Sequence, residues 1–259
     1  MTTLKSRISY WLGRSPIGLI PVRIRAGIAR GARWTLLPHS AYWRQAGEGD
    51  VDAVAATLGP LTGKCFWDLG AHFGLYTVGL AREVGPTGQV ASFEPDPRSH
   101  ARCARHMAMN DLKNVRLFRA AVSDRATQQE FIVPSAGATF NHLRYEDEPV
   151  TAGEKTMQIE TLVLDELVAA GAIRPPLLVK VDVEGHGAKA LVGARETITR
   201  HHPVLVMSFH SHAERDDTQA LLEPLGYRCF ENDGRPLPWS AVVFRTACLK
   251  VPDLANPSA

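Results

Sequence analysis

Phe66-Trp67-Asp68-Leu69-Gly70-Ala71-His72-Phe73-Gly74-Leu75-Tyr76-Thr77 reads as a strand that runs into a glycine-bearing turn and then into a helix. The glycines have a physical task there, because without a Cβ the backbone turns sharply and a ligand approaches the helix N-terminus closely. Asp68 stands at the strand end, where a carboxylate suits a cationic group better than a phosphate. The turn therefore fits a nucleoside cofactor that carries a sulfonium and an amino acid. A dinucleotide pyrophosphate would want a helix N-terminus free of nearby negative charge.

Outward from this turn, short apolar runs alternate with segments of helical period, which implies a parallel sheet with helices on both faces. The strand runs are Cys65–Leu69, Gln89–Phe93, Val115–Phe118, Leu177–Val183, Pro203–Phe209, Tyr227–Glu231 and Ala241–Leu249. Helical period falls on Gly74–Val84, Pro97–Asn110, Gly187–Thr199 and Arg215–Leu225, and in the third of these Ala188, Leu191, Val192 and Ile198 make one apolar stripe. The last two strand runs are joined across Asn232-Asp233-Gly234 with no helix between them, as in an antiparallel hairpin. Between Thr127 and Thr161 the alternation is interrupted, with short strands at Glu130–Val133 and Thr156–Glu160 around a polar segment. That stretch reads as an insertion at the rim of the sheet, either a binding lid or a plain surface loop.

Glu94 ends the second strand in Val90-Ala91-Ser92-Phe93-Glu94-Pro95-Asp96-Pro97, at the distance from the glycines at which an acidic residue holds ribose hydroxyls. Ala120-Ala121-Val122-Ser123-Asp124 follows the third strand, where it either meets an adenine edge or forms a simple Ser-Asp turn. In Leu178-Val179-Lys180-Val181-Asp182-Val183-Glu184-Gly185, strand alternation puts Lys180, Asp182 and Glu184 on one side. Three charges on one side of an interior strand are costly unless they pair or meet a ligand, so an ion pair from Lys180 to Asp182 or Glu184 competes with a site role. His210, at the end of the next strand, would reach over the same crevice and is the candidate base for a hydroxyl proton, ahead of His72 and His186. The His210-Ser211-His212 pair invites a metal, but no third ligand with convincing spacing stands beside it, so no metal is expected. Gly59-Pro60-Leu61-Thr62-Gly63-Lys64 mimics a phosphate loop yet precedes its strand instead of following it.

Taken together, D-L-G-A-H-F-G-L-Y-T from Asp68, F-E-P-D-P from Phe93, A-A-V-S-D from Ala120, T-L-V-L-D-E-L from Thr161 and V-K-V-D-V-E-G-H-G-A-K-A-L-V-G-A from Val179 resemble the FkbM family of S-adenosylmethionine-dependent methyltransferases over roughly Arg44 to Phe230. The resemblance implies an α/β, Rossmann-like class I methyltransferase fold, with a mostly parallel seven-stranded sheet of order 3-2-1-4-5-7-6 and an antiparallel last strand. It implies S-adenosylmethionine as cofactor and O-methylation of a hydroxyl on a sugar, lipid or secondary-metabolite acceptor. It places Asp68, Gly70 and Gly74 at the methionine part of the cofactor, Glu94 at the ribose, and Asp182 and Glu184 by the reacting centre; with the neighbouring Ala71, His72, Tyr76, Pro95, Ala121 and Val122 at the cofactor and His210 as base, these are the expected site residues. This sequence has His72 where the family often has Asn, and Ser208 where an acidic residue commonly precedes the strand-end His. Two rivals are a nicotinamide-dependent oxidoreductase, disfavoured by the lack of G-x-G-x-x-G, and a non-catalytic cofactor-binding module that docks through its N-terminus.

The 259 residues, 45% of them hydrophobic, bury one sizeable core. The net charge of +2 hides an asymmetry: eight basic residues from Lys5 to Arg44 precede Glu48, the first acidic one, and the rest carries 21 basic against 27 acidic residues. Residues 1–60 are thus read as a basic N-terminal arm and leading helix, with that helix at about Asp50–Leu58. Residues 61–252 form the cofactor-binding domain with an insertion at about 127–161, and 253–259 a C-terminal tail. An acidic body excludes a broad nucleic-acid footprint, whereas the arm suits either packing on the body or contact with a membrane surface or other anion. Scattered Cys65, Cys103, Cys229 and Cys248 point to reduced thiols and a cytoplasmic setting.

Overall fold

The computed structural model describes residues 21–35, 50–133, 142–144 and 155–252. Lys5, Arg7, Arg14 and Arg44 of the basic arm, most of the polar part of the insertion, and the tail at 253–259 lie outside them.

Strands β1 (Pro21–Arg23) and β2 (Arg33–Thr35) form an antiparallel hairpin, followed by helix α1 (Asp50–Ala56). The chain then alternates through β3 (Cys65–Leu69), α2 (Leu75–Val84), β4 (Gln89–Phe93), α3 (Pro97–Met109) and β5 (Val115–Phe118). The insertion supplies β6 (Ala121–Val122), β7 (Thr127–Val133), β8 (His142–Leu143) and β9 (Lys155–Leu162), and α4 (Leu164–Ala169) leads back. The second half runs β10 (Leu178–Val181), α5 (Gly187–Val192), α6 (Arg195–His201), β11 (Val204–Ser208), α7 (His212–Leu222), β12 (Arg228–Phe230), β13 (Pro236–Leu237) and β14 (Thr246–Lys250).

The main sheet has the order β13-β12-β14-β11-β10-β3-β4-β5. Its five central and right-hand strands, β11 to β5, are parallel, and β14 inserts antiparallel between β11 and β12. Seven strands thus follow the expected order, and the two-residue β13 adds an eighth at the edge. The expected tight hairpin lies elsewhere: Asn232-Asp233-Gly234 joins β12 to β13, and a 3-10 turn at Trp239–Ala241 delays β14 until Thr246. Every residue of β3 and β10 is buried, as befits parallel strands covered on both faces. Trp67, Leu69, Phe93, Val179, Val181, Leu205 and Met207 pack on one side of the sheet; Phe66, Val90, Leu178 and Val206 pack on the other.

Two elements depart from the sequence pattern. The helix expected over Gly187–Thr199 breaks at Gly193, where a Cβ would lie 2.1 Å from the Ser123 carbonyl oxygen, and Asp165 caps the second piece by accepting from the Glu196 and Thr197 amides. Val192, read as part of the apolar stripe, is consequently exposed. The insertion is also more ordered than a loop, because β7 and β9 pair antiparallel over seven residues and β6 joins them to make a separate four-stranded sheet.

The β1–β2 hairpin does not stand off as an arm. Trp34 is fully buried and stacks on His106 of α3 with ring centroids 3.5 Å apart. His106 Nδ1 lies 2.8 Å from the Phe73 carbonyl oxygen, which can only accept, so Nδ1 carries the proton and Nε2 accepts from the Thr35 amide at 3.2 Å. Burial holds this imidazole down at about 4, so it is neutral at physiological pH.

A folded-state value below the free value of 6.5 gives stability that is present above 6.5 and lost as pH falls through about 4. His106 should account for roughly 3 kcal/mol of acid-induced loss by pH 4. The fall in urea midpoint from pH 7.5 to 4.5 should therefore be smaller in His106→Phe than in the parent; an equal acid decline in both would show that another group carries it.

Candidate active site

At the centre of the sheet, Asp68 of β3 and Lys180 of β10 are register partners on adjacent strands. Lys180 Nζ lies 3.4 Å from Asp68 Oδ1 and 3.9 Å from Asp182 Oδ2, and it donates to the carbonyl oxygens of Leu69 at 3.2 Å and Gly70 at 2.5 Å. Asp68 Oδ2 accepts from the Thr77 hydroxyl at 2.6 Å, which ties α2 to β3. The alternative of a Lys180 ion pair to Asp182 or Glu184 is present toward Asp182, but the nearest carboxylate is Asp68, one strand away. Asp68 is therefore a buried brace beneath the turn.

The turn itself needs its glycines for two different reasons. Gly70 has φ +81°, and a Cβ on it would lie 1.9 Å from the Asp182 carbonyl oxygen, so the ends of β3 and β10 can meet only there. Gly74 has φ +84°, and a Cβ there would lie 2.5 Å from Cys103 Sγ, so its role is to let α2 pack on α3. His72 also sits at positive φ, with an exposed ring stacked on Phe73 at 3.7 Å.

Glu94 links this turn to the next one. Its Oε2 accepts from the His72 amide at 2.6 Å and its Oε1 from the Asp96 amide at 2.9 Å. Burial pushes the acid up to about 7, with the two amides pulling the other way. Each oxygen keeps a second lone pair for an incoming hydroxyl. Pro95 follows at the half-buried lip. Ala121 and Val122 are buried where β6 pairs with β9, at the root of the insertion.

Beyond the tips of β10 and β11 the charges converge on one ring. His210 Nε2 lies 3.5 Å from Asp182 Oδ1 and 3.3 Å from Glu184 Oε2, while Nδ1 lies 3.6 Å from Glu214 Oε2. Burial alone would lower the imidazole, but the surrounding carboxylates of Asp182, Glu214 and Glu184 raise it to about 10. Burial likewise works against Asp182, whose carboxyl Lys180 and His210 together hold at about 2. The neighbouring carboxylates thus favour the protonated ring, while in this geometry Nδ1 accepts from the Gly185 amide at 3.2 Å. The other candidate, His186, is buried with Nε2 3.0 Å from the Ser123 hydroxyl and is held down at about 4 by burial.

Glu214 is the residue the sequence reading missed. It is almost fully buried, and its oxygens accept from the amides of Gly187 and His210, each at 2.8 Å. Ser211 caps α7 by accepting from the Glu214 amide, so the Ser-x-x-Glu spacing of a capping box was the available signal. His212, in contrast, turns outward to meet Phe244 edge-on at 6.2 Å. Among the described residues, Asp182, Glu184 and His210 bring potential ligand atoms within 4.8 Å of one another, a set that could hold a cation. Two of the three come from another strand, which is why ligand spacing around His210 and His212 gave no sign of it.

A cleft of about 130 Å³ opens beside the glycine turn, lined by Gly70, Ala71, His72, Tyr76, Lys180 and Asp182 on one side. Asp50 and Val51 of α1, with Ser208 and Thr246, line the other. Phe244 stands just before Thr246, 75% exposed at φ +60°. A bulky residue in that conformation costs about 1–3 kcal/mol, and its exposure returns nothing to folding.

The Methyltransferase FkbM domain family matches this chain over residues 68–229. The 2-O-methyltransferase NoeI of Sinorhizobium fredii is 31% identical over 137 residues, which is 46% of this chain and 52% of NoeI, so the chain spans about half of that relative's length. The hexuronic acid methyltransferase AglP of Haloferax volcanii is 25% identical over 236 residues, 86% of this chain and 89% of AglP. Among solved structures, a methyltransferase FkbM from Methylobacillus flagellatus aligns with TM-score 0.48 at 19% identity, over 72% of this chain and 43% of its own. A SAM-dependent O-methyltransferase from Thermotoga maritima aligns with TM-score 0.47 at 14% identity, over 93% and 78% of the two chains.

Lys180→Met should leave the Asp68 carboxylate buried without its counter-charge and destabilise the fold by about 3–5 kcal/mol. Chemical denaturation would read this directly, and a loss within about 1 kcal/mol would mean that Asp68 is not held by Lys180.

Proposed function

Because the chain belongs to the FkbM methyltransferase family, we propose that it transfers the methyl group of S-adenosylmethionine to a hydroxyl oxygen of a sugar-containing acceptor. The observation that carries this reading is the shared position of Asp182. It lines the cleft beside Gly70 and His72 and also touches His210, so the floor for a cofactor and a cluster for an acceptor proton meet at one residue. In this reading Gly70, Ala71, His72 and Tyr76 border the cofactor's amino-acid end, and Glu94 receives the ribose hydroxyls on its remaining lone pairs. Pro95, Ala121 and Val122 lie toward the base, with Asp68 acting from beneath.

The acceptor oxygen attacks the methyl carbon in line with the departing sulfur. The new C–O bond forms as the S–C bond breaks, the bonding pair returns to sulfur, and the sulfonium becomes a thioether. The hydroxyl proton passes to a carboxylate of the cluster, with Glu184, whose carboxyl burial raises, a better acceptor than Asp182. The positive charge centred on His210 faces the oxygen as it develops negative charge. Alignment of the two partners supplies about 7–11 kcal/mol of the acceleration, and proton removal about 10²–10⁴-fold.

The relatives' names give 2-O-methylation for NoeI and a hexuronic acid, a carbohydrate, for AglP. A uronic acid offers both hydroxyls and a carboxylate. Asp182, Glu184 and Glu214 together repel an anionic nucleophile and serve a neutral one that must lose a proton, so the hydroxyl is the site we assign. Phe244 gives the acceptor an apolar face at the rim, where an aromatic ring can cover the C–H side of a sugar.

Mass spectrometry for a 14-Da gain on hydroxyl-bearing glycans, with the position mapped by fragmentation, tests the reaction; methyl ester alone would refute the hydroxyl assignment. His210→Ala should cut turnover by about 10²-fold or more while leaving the S-adenosylhomocysteine Kd within a few-fold. Glu94→Gln should do the reverse, weakening S-adenosylhomocysteine about tenfold or more in calorimetry. In the parent, that affinity should fall as pH drops through about 7 and Glu94 is protonated, and the variant should lose this step. Phe244→Ala should raise the acceptor KM with kcat and cofactor affinity unchanged; an unaltered KM would remove Phe244 from the acceptor site.

A further inference from the structure

We propose that Asp182, Glu184 and His210 form a divalent-cation site that holds the acceptor through two of its oxygens. Cation binding itself is independent of methyl transfer, while the acceptor's place on the ion rests on the reading above.

Three features of the geometry carry the proposal. His210 Nε2 is 3.5 Å from Asp182 Oδ1 and 3.3 Å from Glu184 Oε2, and all three atoms lie within 4.8 Å of one another. An ion bonded at about 2.1 Å to each of two ligands separates them by about 3.0 Å in octahedral and about 3.4 Å in tetrahedral geometry. The two short edges of this triangle bracket the tetrahedral value and lie slightly beyond the octahedral one, within reach of a small turn of the ring. They are long for hydrogen bonds, and one Nε2 proton cannot serve both carboxylates well.

The supporting residues are those of a ligating histidine. When Nε2 binds a metal, Nδ1 carries the proton and needs a fixed acceptor, commonly a carboxylate. Glu214 Oε2 stands 3.6 Å from Nδ1 and is itself fixed, because Glu214 is buried and its two oxygens accept from the backbone amides of Gly187 and His210. The Gly185 amide, 3.2 Å from the same Nδ1, serves the opposite tautomer, so cation binding should draw the ring toward Glu214. On the other side Lys180 faces Asp182 Oδ2, which leaves Oδ1 as the ligand atom.

The donor set and its exposure say what the ion and its partner are. One imidazole nitrogen with two carboxylate oxygens suits a borderline to hard divalent ion such as Mn²⁺, and Zn²⁺ less well than thiolate-rich sites would. The side chains of Asp182, Glu184 and His210 are 41%, 23% and 30% exposed, so the ion's remaining positions open outward. Those positions take neutral oxygen ligands, and vicinal hydroxyls of a sugar ring are the chemical class that fills two of them at once. Such an ion would lower the pKa of the bound hydroxyl more strongly than a single imidazolium charge.

The test uses the full-length protein dialysed against EDTA, with Mn²⁺ titrated and the free ion followed by electron paramagnetic resonance, and S-adenosylhomocysteine binding measured in parallel. The expected result is stoichiometric Mn²⁺ binding in the micromolar range, weakened about tenfold or more in both His210→Ala and Glu184→Gln. Unchanged S-adenosylhomocysteine affinity in both variants would show that the fold is intact. Failure to bind Mn²⁺ stoichiometrically, or equal binding by parent and variants, would overturn the site. Cofactor binding without Mn²⁺ binding would sink this inference and leave methyl transfer standing; Mn²⁺ binding without cofactor binding would do the opposite.

Discussion

The buried contact between Asp68 and Lys180 is the constraint on which the site depends. A lysine and an aspartate at matching positions of two interior strands must satisfy each other, because neither can be taken from water alone without a cost of several kcal/mol. The ammonium does more than neutralise the acid. It also donates to the carbonyls of Leu69 and Gly70, so the end of β3 and the start of the glycine turn are held by one cation on the neighbouring strand. The close meeting of Gly70 with the Asp182 carbonyl then sets where β10 ends and where its carboxylates emerge.

From that fixed point the charges fall into two groups with different tasks. Asp68, Lys180 and Thr77 are enclosed and paired with one another, with Asp68 Oδ1 held only by the Lys180 charge, and they stiffen the floor. Asp182, Glu184, His210 and Glu214 lie above it with a surplus of carboxylate around one ring. Such a surplus is costly in a merely structural cluster, because it invites a proton or a cation to balance it. Glu184 and Gly185 adopt positive φ immediately after the strand, so some backbone strain is spent on placing one of these carboxylates. Asp182 belongs to both groups through its two oxygens, one toward Lys180 and one toward His210, and thereby couples floor to cluster.

The N-terminal part of the chain completes the same site from outside. The β1–β2 hairpin is locked to α3 through Trp34 and a neutral His106 that also holds the Phe73 carbonyl, inside the very turn that leads from Gly70 to Gly74. Helix α1 brings Asp50 to the cleft, where it accepts from the Asn232 side-chain amide beyond β12. Segments that flank the cofactor domain in sequence therefore form part of its walls.

Periodicity alone determined most of the fold: apolar runs of strand length alternating with helical stripes leave few sheets other than a parallel one, and the strands from Cys65 to Phe118 begin and end where the pattern says. The local chemistry of the Gly70 turn, Glu94 and the Asp182 to His210 strand tips was legible for the same reason, since strand-end positions converge wherever the strands are neighbours. What sequence could not supply was partnership across strands. That Lys180 belongs to Asp68, that Gly74 serves Cys103, that the break at Gly193 makes room for the Ser123 carbonyl, and that Glu184 joins His210 are consequences of register and close packing. The protonation of His210 belongs there too, because an imidazole's charge is set by every carboxylate within a few ångströms, and only the tertiary structure decides which those are.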